Sequence, residues 1–143
     1  MRVIDALLKD TALATEGINF FGHAPEPYAN VDETEFPRVW VYDTRPLDEV
    51  YRNHTVETTY QILLEISDLV QLDDNTDAFV ENLDAMESLW YKFINKLSRD
   101  PRNRRPVGKV NRVEILHKFS HGIGGYICTF NVTVVNFPEY NCD

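Results

Sequence analysis

The sequence predicts an α+β fold, an antiparallel β-sheet with one long α-helix packed on one face and a short N-terminal helix. Three observations predict it. Apolar residues recur at helical spacing over 76–98 and over 3–14, they alternate with polar residues over 55–70, and a glycine-rich connection at 121–125 joins two further alternating runs. Helix, strands, helix and hairpin in that order pack as one sheet with a helix on it.

The first helix places Val3, Ile4, Leu7, Leu8 and Ala12 on one stripe, with Gly17 as its stop. From Ile18 to Pro37 the chain carries Pro25, Pro27, Asp32, Glu33 and Glu35, a composition that predicts a long surface loop whose aromatics Phe20, Phe21 and Tyr28 dock on something. Val39–Tyr42 reads as a short strand ended by Asp43-Thr-Arg-Pro46. Thr55–Val70 is the clearest strand, with Val56, Thr58, Tyr60, Ile62, Leu64 and Ile66 alternating against polar neighbours.

Asp73-Asp-Asn-Thr-Asp77 then offers a capping cluster for the main helix, whose apolar stripe runs through Phe79, Leu83, Met86, Trp90, Phe93 and Leu97. Ser98–Lys109 is polar, basic and broken by Pro101, Pro106 and Gly108, so it reads as a loop. Val110–Phe119 and Tyr126–Val135 are two strands joined through His121-Gly-Ile-Gly-Gly125. On the first, Val113, Ile115 and Phe119 share a face, and on the second Tyr126, Cys128, Phe130, Val132 and Val134 do. Residues 1–135 are expected to form one domain and 136–143, with Phe137, Pro138 and Tyr140, an extended arm reaching a neighbour.

Composition narrows the function classes. With 143 residues, 43% hydrophobic and 26% charged, the chain has the makings of a core that needs neither metal nor disulfide. A net charge of -9 argues against a protein that coats nucleic acid with its whole surface. No apolar stretch approaches the length of a membrane span, and the N-terminus lacks the pattern of a secretory signal, so a cytoplasmic setting is expected.

No catalytic or cofactor constellation emerges. His23, His54, His117, His121, Cys128 and Cys142 show no metal-ligand spacing beyond the 117/121 pair, which flanks a turn. Cys128 sits on an apolar strand face and reads as a small core residue. Gly122-Ile-Gly-Gly125 precedes a strand and lacks the Lys-Ser or Lys-Thr of a phosphate-binding loop. Metal, cofactor and catalytic residues are therefore all expected to be none.

Charge is segregated along the chain. Glu57–Glu87 holds nine acids and no Lys or Arg, while Lys96–Arg112 holds seven of the fourteen bases. A solvated acidic face followed by a solvated basic loop accounts for this. The sharper reading is self-complementarity, in which Arg99, Arg102, Arg104 and Arg105 of one copy, with Tyr140 of the arm, meet Asp73, Asp74, Asp77 and Glu81 of the next. A basic loop against DNA is the third reading.

The order of short helix, aromatic loop, Phe36-Pro-Arg-Val-Trp-Val-Tyr42, long strand Thr58–Ile66, amphipathic helix and C-terminal hairpin resembles the tail terminator and tail completion proteins of tailed bacteriophages. The neck ring proteins of crAss-like phages are similar in layout. Gly125–Val135 followed by Phe137-Pro and Cys142 resembles their ending. The resemblance implies a non-enzymatic virion protein, made in the host cytoplasm, that forms a hexameric or dodecameric ring between portal and tail or at the tail end. Portal, connector and tail proteins are its implied partners, with genomic DNA passing through the lumen and no membrane contact. The alternatives are a small-molecule enzyme using His117 and His121, and an adaptor domain that binds a peptide strand at a sheet edge.

Overall fold

The computed structural model describes residues 2–23, 35–70, 76–118 and 122–136. Two helices, α1 (Val3–Ala14) and α2 (Thr76–Arg99), lie on one face of a five-stranded sheet. The strands are β1 (Phe20–His23), β2 (Arg38–Arg52), β3 (Thr55–Val70), β4 (Asn111–Lys118) and β5 (Gly122–Asn136), in the order β1-β2-β3-β5-β4. The β1–β2 pair is parallel and every other pair is antiparallel.

The expected α+β layout is the observed one. Register explains which face is apolar. Val41, Leu64 and Cys128 stand side by side across β2, β3 and β5, as do Val39, Ile66 and Tyr126, so one parity of the sheet is continuously apolar. Onto it α2 presents Met86, Leu89, Trp90, Phe93 and Leu97, and α1 presents Ile4, Leu7, Leu8 and Ala12. Trp90 closes the centre, edge-on to Phe130 at 5.4 Å between centroids and tilted against Phe93 at 5.8 Å. Leu83 packs at the margin of this cluster.

Three expectations about the strands are corrected. The stretch 18–37 is not wholly irregular, because Phe20–His23 adds to the sheet beside Arg38–Val41. The four-residue run was too short to advertise itself. The second strand does not end at Asp43-Thr-Arg-Pro46 but continues to Arg52, across register shifts at Val41/Asp43 and Pro46/Asp48. Bulges let the ladder absorb a proline at its edge, which a simple alternation rule cannot anticipate. Finally, Gly122–Gly125 belong to β5 rather than to a connecting turn. Gly125 is required there, since a Cβ at this position would lie 2.0 Å from the Ile66 carbonyl oxygen.

The hairpin between β2 and β3 turns at Asn53, whose φ of 49° is in the left-handed region that Asn tolerates. The arm expected over 136–143 begins inside the sheet, because Asn136 pairs with Val56 and donates through Nδ2 to the Thr58 hydroxyl at 3.0 Å. Residues 137–143 lie outside the described residues.

Candidate interaction surfaces

Ion pairs inside the fold consume much of the basic loop. Arg102 binds Asp100 at 2.8 Å and Asp10 of α1 at 2.9 Å, tying the loop to the first helix. The bond from Arg102 holds the Asp100 carboxyl below the usual carboxylate range, and Asp100, then Asp10, raises the Arg102 guanidinium. Arg105 reaches Glu57 of β3 at 2.9 Å. Arg112 of β4 bonds Glu87 of α2 at 2.5 Å while lying over the rings of Tyr91 and Tyr126, 5.3 and 4.5 Å from their centroids. Acids and bases that are far apart in sequence thus meet within one chain.

The residues proposed for an intersubunit contact therefore divide. Arg102 and Arg105 have partners in their own chain. Arg104 donates its backbone N–H to the Thr133 carbonyl at 2.8 Å, and its side chain is exposed with no ion pair among the described residues. Arg99 ends α2, exposed, and Asp77 and Glu81 are exposed near its start. Asp73, Asp74 and Tyr140 lie outside the described residues.

Between the second half of α2, the 103–108 loop and the start of β4 runs an open cleft of about 1030 Å³. Its floor is Trp90, Ile94, Val107 and Val110, and its rim carries Tyr91, Arg104, Arg105 and Arg112. Asn103, whose Nδ2 donates to the Leu97 carbonyl at 3.4 Å, closes the helix end beside this cleft. His117 belongs to β4, and His121 lies outside the described residues. Among the described residues no three of His, Cys, Asp and Glu come together as a metal-binding group.

Cys128 is buried in the apolar face of the sheet, and burial pushes its thiol up to about 12. A thiol so held is protonated and shielded, as a core residue should be.

Sequence reasoning missed the polar cluster on the opposite face of the sheet. Arg38 of β2 is 1% exposed and its ion-pair partner Glu65 of β3 is 0% exposed, 3.1 Å away. Glu65 also accepts from the Tyr42 hydroxyl at 2.5 Å and the Ser67 hydroxyl at 2.6 Å. The Arg38 guanidinium lies over Phe36 and Trp40, at 5.0 and 5.1 Å from their centroids. Phe20 stacks on Trp40, and Gly22 makes room for that indole, since a Cβ there would be 2.3 Å from the ring. The only signal in the sequence was an Arg and a Glu at polar positions of two strands, which registers as solvent-facing until the strands are paired.

Comparison with known protein families and with curated proteins finds no match to this chain.

Proposed function

We propose that this chain is a structural protein of a tailed-phage virion, a ring subunit in the head-to-tail connector or at the tail terminus that joins the portal side to the tail. The single observation that supports it most is the pair of unlike edges of the sheet. β1 and the distal part of β2 border one flank, and β4 borders the other. Three successive antiparallel pairings separate β2 from β4, so these two strands run in opposite directions. Adding β4 of one copy beside β2 of the next gives an antiparallel ladder. Because the two edges are different surfaces, the contact is head-to-tail and closes as a ring when its rotation divides a full turn.

Exposure supports the same reading. Among the described residues no strand pairs with the outer side of β4 or with the outer side of Thr44–Arg52, and Tyr51 on the latter segment is 73% exposed. A closed ring of six or twelve copies would leave no such edge open.

The test is made in the phage that encodes the chain. Removing it should leave filled heads and separate tails that fail to join, or tails of uncontrolled length, and virions should contain it in a multiple of six copies. Joined, infectious particles formed without it would refute the proposal.

A further inference from the structure

The exposed face of α2 is electrically bipolar. Asp77, Glu81 and Asp84 occupy its first half and Lys92, Lys96 and Arg99 its second, all exposed. At 100° per residue these positions fall in one stripe centred on Ser88. Acids at its start and bases at its end follow the helix dipole, while the like charges four apart at 77/81 and 92/96 repel each other within the helix and leave Glu81, Lys92 and Lys96 to meet opposite charge outside it. Among the described residues no ion pair engages Glu81, Asp84, Lys92, Lys96 or Arg99. Among the described residues no opposite charge reaches those five.

We infer that a second copy of the chain supplies it, by antiparallel pairing of two α2 helices about a two-fold axis at Ser88. Reversal about that residue brings Glu81 against the partner's Lys92 and the partner's Lys96, each contact occurring twice. Val80 and Tyr91, both 55% exposed, fall on the same flank and provide apolar surface there. The small side chains of Ala85 and Ser88 let the helix axes approach to the usual 8–10 Å. A surface complementary to itself closes as a dimer, whereas a head-to-tail contact needs two different patches, and here both charge signs lie on one face.

The contact is weak by its size. From 77 to 99, at 1.5 Å per residue and a width of roughly 10 Å, the pair buries about 700 Å² in total, below the roughly 1,200 Å² of a stable interface. Association in the micromolar to millimolar range follows, with strong dependence on salt. The inference is independent of the ring proposal, because it uses the helix face and not the sheet edges.

The test is sedimentation of the full chain at up to about 1 mM in low salt. The native chain should dimerise, and dimerisation should fade as salt is raised. E81K/D84K leaves Asp77 as the only acid of that stripe and K92E/K96E leaves Arg99 as its only base, so each alone should associate at least about tenfold more weakly. An equimolar mixture of the two should regain the dimer, which a merely destabilised variant could not do. In a Cys142→Ser background, Ser88→Cys should cross-link to itself on oxidation and Asn95→Cys should not, since an antiparallel pair holds the two copies of residue 95 far apart. A native chain that stays monomeric, or a mixture no more dimeric than either variant, overturns the inference. If rings form while α2 pairing fails these tests, the inference falls and the ring proposal stands.

Discussion

Replacing Arg38 with Met should be among the most damaging single changes in this protein, although it lies on the sheet face opposite α1 and α2. The substitution conserves most of the volume and removes the guanidinium, with its charge, its hydrogen bonds and its contacts over Phe36 and Trp40, and its largest consequence is the fate of Glu65. That carboxylate is 0% exposed, and its bond from the guanidinium is 3.1 Å long. The hydroxyls of Tyr42 and Ser67 still donate to it, but neither brings a positive charge. Stranding a buried charge in this way costs about 3 to 5 kcal/mol. For a domain of this size that lowers the melting temperature by roughly 10 to 20 °C. Removing both charges should be far milder, because a buried pair recovers little more than the desolvation it costs, so R38M/E65L should regain at least half of the loss. Urea unfolding of the native chain, both single variants and the double variant gives the coupling directly. A loss below about 1 kcal/mol for Arg38→Met, or a double variant as unstable as the sum of the singles, would refute the reasoning.

Phe93 is wholly buried under α2, so Phe93→Ala should cost about 3 to 5 kcal/mol in urea unfolding, while Leu83→Ala, at the margin of the core, should cost less. Gly125→Ala should disrupt the β3–β5 ladder and abolish cooperative unfolding, because the new methyl would stand 2.0 Å from the Ile66 carbonyl oxygen. Gly108→Ala meets nothing within 4 Å and should lose only about 1 kcal/mol through its φ of +73°. Cys128 should resist thiol reagents in the folded protein and react on unfolding. Its folded thiol titrates near 12 against an ordinary 9.0, so its stabilising contribution is intact below pH 9 and is lost as pH rises from there toward 12. Cys128→Ala should flatten the alkaline fall in stability by up to about 1.4 kcal/mol per pH unit, and an unchanged slope would show that the thiol is not shielded.

Periodicity alone determined the elements that bury one face. The 3–14 helix, the 55–70 strand and the amphipathic stripe of the 76–98 helix were legible because each repeats its apolar residue often enough for the period to show, and burial of that stripe is what makes the element form. The face of β5 through Tyr126, Cys128, Phe130, Val132 and Val134 was legible for the same reason. Chain pairing decided the remainder. β1 has four residues and takes its ladder from Arg38–Val41, so its conformation comes from a neighbour and not from its own composition. The distal half of β2 holds a proline and a register shift, after an earlier shift at Val41/Asp43, and only the continuous alternation of β3 beside it keeps it extended.

The charges show the same division more sharply. The sequence determined that acids and bases are segregated, which is a property of order along the chain. Whether a given charge is spent or available is a property of space. Arg102, Arg105 and Arg112 are neutralised by Asp10, Glu57 and Glu87, residues 25 to 92 positions away that folding alone brings within hydrogen-bond distance. Glu65 and Arg38 occupy strand positions that alternation assigns to solvent, yet pairing of β2 with β3 buries them against each other. What remains exposed after those pairings is the two-signed face of α2. The helical repeat gathers that face onto one side, while the fold decides that among the described residues no ion pair reaches Glu81, Asp84, Lys92, Lys96 or Arg99, because Coulomb attraction at short range depends on distance in space and not on separation in sequence.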